Sequence, residues 1–361
     1  MFYVVPLITF DHSSANVAPL DHPTGSKCRP DLSAYSTSSM DGEIHWSQID
    51  ATVELHSGGA TASQGLLQAA SYLKLLLQAW PDRVYVQGFY ADKQGVTLLI
   101  GSADSIKRSP KLNLSVPDNV LLLHASVKRL ASPHSSMLDP SIKRTVISDR
   151  WVFNITLTIE GSPSVDCRGY KISKAHDSAG RRTHIFENSA TPARVNNIPI
   201  PIIKDQYLHP NRRFDEAGII HHIHKHGNVP GVIYLAHSQN VVQADGLPIC
   251  CGDRNKRRVC LAECGKPFMD LKTPMEVLKV IYDVLESKSQ TLSHTVFLNS
   301  PQTATRVLYK ARKVLHRDIS IGNIMYIEKC PAATSSTPPN ANQDDSSVAK
   351  FCAVSHLLDS T

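Results

Sequence analysis

Residues 314–329, VLHRDISIGNIMYIEK, constrain the fold of this chain more than any other stretch. His316-Arg317-Asp318 is followed, five residues after the aspartate, by Asn323, and apolar residues flank the polar positions on both sides. Four fixed residues at set spacing arise by chance in a chain of this length with odds on the order of one in several hundred. An Asx-capped turn would use an aspartate and an asparagine, but it does not require the histidine and arginine as well. Such a loop needs a core around it, and only 38 residues (361 minus 323) follow Asn323.

The chain has 361 residues, of which 42% are hydrophobic and 19% charged, enough for two ordinary domains with separate cores. A net charge of +6 with dispersed Lys and Arg argues only weakly for an anionic partner, and dedicated nucleic-acid binding is not expected. The opening MFYVVPLITF contains a proline and lacks a basic n-region, and no stretch reaches the roughly 18 apolar residues of a membrane helix. Eight dispersed cysteines form no disulfide framework. These features predict an intracellular protein, cytoplasmic or nuclear, with no membrane partner and an oligomeric state left open.

Residues 1–27 mix Pro, Ser, Asn and His without period and read as a flexible arm. From Gly59 to Trp80, Leu66, Ala70, Leu73, Leu77 and Trp80 recur at helical spacing among good helix formers. RVYVQGFYADKQGVTLLIG then alternates around Asp92 to Gly95, a hairpin signal. Residues 102–149 are Ser-, Pro- and Lys-rich and read as linker carrying some helix. WVFNITLTIEG (151–161), GYKISKA (169–175), IPIPIIK (198–204) and RRVCLAEC (257–264) read as strands. Glu216, Ile219, Ile220 and Ile223 share one helical face, with Gly227 closing that helix. Thr273, Pro274 and Glu276 form a capping box, which predicts a helix through TPMEVLKVIYDVLE. Residues 331–347, PAATSSTPPNANQDDSS, are of low complexity and read as loop or tail.

The loop fits the protein-kinase pattern H-R-D-x-x-x-x-N. Phosphoryl transfer asks a protein to orient a hydroxyl, hold phosphates and meet negative charge with magnesium. Asp318 is placed to accept the hydroxyl proton, and Asn323 offers an amide oxygen to a hard cation. Lys204, ending a β-rich run, is the candidate for the α and β phosphates, and Glu216 on the next helix is its candidate ion-pair partner.

LHRDISIGNIM, with Ile-Ser after the aspartate, resembles the loop of the fungal-type protein kinases, within the protein-kinase-like superfamily. IIKDQY is similar to that family's lysine strand, GNVPGVIYL to the turn and strand after its αC helix, and RRVCLAECGKPFMDL to its hinge. RPDLSAY, HWSQIDATVEL and RVYVQGFYADKQG resemble the domain that commonly precedes its core. The resemblance implies an α+β fold, with a protein-kinase-like small lobe and an incomplete large lobe preceded by a small α/β domain. It implies ATP and Mg2+ as cofactors, a protein Ser or Thr hydroxyl as substrate, and Asp359 as an echo of the metal-binding aspartate. The implied organisation is an arm (1–27), an N-terminal domain (28–135), a linker (136–149), a kinase-like domain (150–330) with small lobe 150–264 and partial large lobe 265–330, and a tail (331–361).

Departures from the family bear on activity. GSPSVDCRGY stands where a glycine-rich turn is expected, so only Gly161 and Gly169 could help cover phosphates, and SKSQTLSHTVFLNSPQTAT looks inserted before the loop. With the large lobe cut short, catalysis is expected to be impaired, and a non-catalytic pseudokinase interaction module is the alternative.

Three weaker patterns complete the reading. HHIHKHG places His222 and His226 at helical i, i+4 spacing, but surface histidines near a helix end explain it better than a metal. Cys260 and Cys264 lack a matching second pair and read as small buried hydrophobes. Pro30-Asp31 followed by Glu54-Leu55-His56 echoes the nuclease pattern in which two carboxylates hold magnesium, but with histidine at the lysine position it reads as a structural relic or coincidence rather than an active nuclease.

Overall fold

The computed structural model describes residues 8–11, 18–36, 44–56, 61–147, 150–176, 180–212, 215–227, 232–267, 270–278, 324–327 and 348–351. Two compact units emerge: Met1–Asn188 with Ile203–Asn211 and Gln239–Arg258, and Ser189–Ile202 with Arg212–Ser238 and Val259–Thr361. The fold is mixed α+β and mostly sheet. Among the described residues no helix is long and apolar enough to cross a membrane.

The first unit opens with a six-stranded sheet in sequential order: β1 (Ile8–Asp11), β2 (Leu32–Ser36), β3 (Ala51–Leu55), β4 (Val86–Asp92), β5 (Gly95–Gly101) and β6 (Ile106–Arg108). β3 and β4 are parallel, joined by the helix α1 (Ala62–Ala79), while the other neighbours are antiparallel. A parallel pair needs a long crossover, and the predicted amphipathic helix supplies it. Thr61 caps α1 by accepting the Gln64 N–H at 3.3 Å, and the Gln64 side chain returns to the Thr61 N–H at 2.8 Å, a capping box.

Alternation along the strands divides the core in two. Trp46, Ile49, Val86, Tyr90 and Leu99 pack with Ala69, Tyr72, Leu73, Leu76, Leu77 and Trp80 of α1 and its end. On the opposite face Ala34, Ala51, Val53 and Phe89 meet Leu123, Val127 and Leu130 of a second helix, α2 (Pro117–Ala131). The predicted helical face is shifted slightly from expectation: Leu66 and Ala70 are half-buried, and Ala69, Tyr72 and Leu76 fill the centre instead.

Further along come β7 (Ile142–Ile147), β8 (Arg150–Leu157), β9 (Val165–His176), β10 (Thr183–Glu187), β11 (Ala193–Val195), β12 (Ile198–Ile200), β13 (Ile202–Leu208), the helix α3 (Glu216–His224), β14 (Leu235–Asn240), β15 (Cys250–Cys251) and β16 (Arg254–Leu261). An eight-stranded sheet has the order β14-β16-β13-β10-β9-β8-β7, with β15 paired to β16. β11 and β12 form a separate hairpin whose Asn196 and Asn197, at φ +49° and +65°, have the conformation of a tight two-residue turn. In the second unit β17 (Lys266–Pro267), β18 (Ile324–Ile327) and β19 (Val348–Phe351) form an antiparallel three-stranded sheet. Residues 274–278 are helical, and the predicted capping box is present: Glu276 N–H donates to the Thr273 hydroxyl at 3.2 Å, and the Glu276 carboxylate accepts the Thr273 N–H at 3.0 Å.

Several expectations are corrected. The supposed arm 1–27 contributes β1 and places His22 in a buried site, where its ring meets the Leu75 carbonyl at 3.0 Å. β1 covers what would otherwise be an open edge at β2, a gain that composition does not reveal. The supposed linker 136–149 contains β7, and Asp139 within it is buried. IPIPIIK is two strands in two sheets, because Pro201 cannot donate to a ladder and breaks the run. The tail 331–361 contributes β19. β8, β9 and β10, assigned by sequence to a domain beginning at 150, fall in the same compact unit as the N-terminal sheet.

Candidate functional site

Asp318, Asn323 and Asp359 lie outside the described residues. Lys204 and Gly169 belong to the first unit and Glu216 to the second, and each has its own setting.

Lys204 is half-buried on β13, which runs between β10 and β16. Strand alternation puts it on the face opposite Asp205, and Asp205 is fixed firmly. The Arg258 guanidinium grips the Asp205 carboxylate with two bonds of 2.7 Å, and Lys256 Nζ lies 3.1 Å away. Lys256 Nζ also donates to Asp139 at 2.6 Å and to the Pro81 carbonyl at 3.0 Å, while Arg258 donates to the Ser141 hydroxyl at 2.8 Å. All four charged side chains are at most 2% exposed. Two cations facing two anions hold the Asp205 carboxyl well below the usual carboxylate range even though burial pushes it up. The strand carrying Lys204 is thereby fixed to β16 and to the segment before β7.

Glu216 is the first residue of α3 and is buried. Asp215 caps the helix, its carboxylate accepting the Gly218 N–H at 2.7 Å, and an acidic residue in the first turn complements the helix dipole. Ala217, Ile219, Ile220 and Ile223 bury the predicted apolar face. His221, His222 and His226 are exposed, and His224 meets the Ile233 carbonyl at 3.1 Å. Among the described residues no three or more His, Cys, Asp or Glu gather as metal ligands. Cys260 is fully buried.

Gly169 lies inside β9 rather than in a turn. Its φ of +73° belongs to a bulge where the register with β8 shifts, and the Asn154 side chain accepts its N–H at 3.0 Å. Asn188 Nδ2 donates to the neighbouring Arg168 carbonyl at 2.9 Å, bracing the bulge. Gly161 lies in the turn between β8 and β9, at φ +69° with open space beside it.

A second constellation is assembled in the first unit, at the carboxyl ends of the parallel strands β3 and β4. Asp31 precedes β2, and its carboxylate accepts the Leu55 N–H at 2.7 Å. Glu54 of β3 hydrogen-bonds to Asp31, and burial together with the Asp31 charge pushes the Glu54 carboxyl up to about 7. Glu54 is 8% exposed, and its Oε2 has no hydrogen-bond partner among the described residues. Tyr72 of α1 donates to the Arg29 carbonyl at 2.7 Å and accepts from Gln68 at 2.8 Å. Burial, with the Glu54 and Asp31 charges adding to it, pushes the Tyr72 phenol up to about 12. Tyr90, in register with Glu54 across the parallel pair, has a buried hydroxyl that also finds no partner among the described residues. The spacing of Asp31 and Glu54 was legible in sequence. The two tyrosines were not, because only the β3-α1-β4 crossover brings them to the carboxyl pair.

Comparison with known proteins bears on the second half of the chain. Residues 248–338 match the family model described as fungal protein kinase. The matched stretch begins just before β15, takes in β16, β17 and β18, and contains Asp318 and Asn323. No curated protein matches the chain. The resemblance read from LHRDISIGNIM falls inside this stretch: residues 248–338 are similar to the fungal protein kinase family.

Proposed function

We propose that the chain acts in ATP-dependent phosphoryl transfer to Ser or Thr hydroxyls of a protein. The observation that carries this reading is the family match over 248–338, which contains the complete H-R-D-x-x-x-x-N loop. The succession β13, α3, β14, β16 with strand order β13-β16-β14 supports it, because a kinase small lobe presents its lysine strand and its glutamate helix in that succession. β18 and β19 support it too: an antiparallel pair follows Asn323 directly and precedes Asp359.

In this reading Asp318 accepts the proton of the attacking hydroxyl and fixes its direction. Lys204 meets phosphate oxygens with a point charge, and Glu216 is the acidic residue that the kinase pattern assigns to such a lysine. Asn323 and Asp359 offer oxygen donors of the kind magnesium prefers. Magnesium-bound ATP supplies the phosphoryl group and the charge that shields its oxygens.

The test is phosphate incorporation by the full chain with Mg-ATP and a generic protein substrate. Asp318→Asn is expected to lower the rate by about 100-fold or more with nucleotide affinity unchanged, and Lys204→Met to weaken nucleotide binding. Equal rates for the wild type and Asp318→Asn would overturn the assignment. The placement of Gly169 in a strand bulge favours a second reading, a non-catalytic interaction module. Such a module would show no magnesium-dependent nucleotide binding.

A further inference from the structure

We propose that Asp31 and Glu54 form a divalent-cation site of the magnesium class, separate from the kinase-like residues. Asp31 and Glu54 touch at the carboxyl ends of β3 and β4, and both neighbouring chain segments hold them there. The Leu55 N–H fixes Asp31 at 2.7 Å, and the strand pairing of β3 between β2 and β4 fixes Glu54. Two carboxyl groups pressed together in a buried position repel when both are ionised, and a structural role alone would be served better by an amide.

The surroundings point to a ligand as well. Glu54 Oε2 is buried with no partner among the described residues, a desolvation cost that nothing there answers. Tyr90, 1% exposed and in register with Glu54 on the parallel pair, presents a second such atom; burial, then the Asp92 and Lys111 charges, act most on its phenol, with the Glu54 charge after them. Tyr90 is packed against α1 at Gly65, where an added Cβ would stand 2.5 Å from its ring, so the hydroxyl cannot turn away cheaply. The crevice at the carboxyl ends of parallel strands is where open α/β sheets place ligands.

The donor set selects the cation. All donors are hard oxygens, and no third His, Cys, Asp or Glu joins them among the described residues. Zinc in protein sites takes three or four protein ligands and favours sulfur or imidazole. Magnesium and manganese accept one or two carboxylates and keep water in their remaining positions. Water hydrogen-bonded between the ion and Tyr90 would satisfy that hydroxyl.

The experiment is Mn2+ titration of the nucleotide-free full chain, read by the loss of the free-ion paramagnetic resonance signal, with Mg2+ as competitor. One Mn2+ is expected to bind and to be displaced by Mg2+. Glu54→Gln and Asp31→Asn, each checked for an intact cooperative melt, are expected to weaken binding by about tenfold or more, because affinity follows ligand charge. Asp318→Asn is expected to leave it unchanged, which separates this site from the kinase reading. No Mn2+ binding in the wild type, or equal binding in the folded Glu54→Gln protein, would overturn the proposal.

Discussion

At the scale of single residues, burial decides what a side chain does, and burial is what sequence conveys least. His184 on β10 is 2% exposed, and its Nε2–H is directed to the Gln78 carbonyl at 3.1 Å. Burial first, then the nearby Arg182 and Lys256 charges, push its imidazole down to about 3. As the pH falls below the ordinary value of 6.5 the unfolded chain takes up a proton that the folded chain refuses. Stability therefore falls with pH between about 6.5 and 3, by up to about 1.4 kcal/mol per unit from this group. Urea unfolding between pH 4 and 7 is expected to show that slope, and His184→Gln to flatten it; an unchanged slope in the variant would refute the assignment. Arg182 itself, 1% exposed, donates to the carbonyls of Leu77 at 3.1 Å and Trp80 at 2.7 Å, so it caps the end of α1 from the distant segment just before β10. Nothing in GRRTH marks this arginine, since its partners are backbone atoms about 100 residues earlier. Asp31 and Glu54 were legible as a carboxylate pair because their spacing fits a recurrent metal-binding chemistry, whereas Tyr72 and Tyr90 carry no such mark.

At the scale of elements, local rules worked where the element's cause is local. The α1 and Thr273 capping boxes, the Asp92 to Gly95 hairpin and the apolar face of α3 are all present as read. Their determinants lie within four residues of each other, so no distant partner is needed. The β5 side of the hairpin adds a constraint that pattern alone hides. Gly95 sits at φ +146°, and a Cβ there would run into the Leu112 backbone carbonyl, which pairs with Val96. Gly95→Ala is expected to cost about 1–3 kcal/mol from backbone strain alone, with the β4–β5 turn opening first. Thermal melting would register it, and a melt equal to wild type would refute it. β1, β7 and β19 went unread for the opposite reason. Each is a short strand that exists because a partner edge lies beside it, and four to six residues of mixed polarity carry no periodicity to detect.

At the scale of the whole molecule, the cluster of Asp139, Asp205, Lys256 and Arg258 is the strongest long-range commitment among the described residues. It unites positions up to 119 residues apart in one dry, charge-balanced network. Deleting one member leaves an uncompensated buried charge, so Arg258→Met is expected to cost about 3–5 kcal/mol. Chemical denaturation would measure it, and a loss under about 1 kcal/mol would show the network to be dispensable. This network also explains why the sequence boundary near residue 150 does not separate compact units: Asp139, from the supposed linker, is locked to β16. By itself the sequence determined the mixed α+β character, the likeness of residues 248–338 to the fungal protein kinase family and the elements whose signals repeat within one or two turns. Those features depend on periodicity and on short spacings, which survive in a string of letters. Only the tertiary structure decided which strands share a sheet, which charges are buried and that Glu54 meets Asp31 beside Tyr90. Those outcomes depend on removing side chains from water against partners far away in the chain, and no local pattern encodes that partnership.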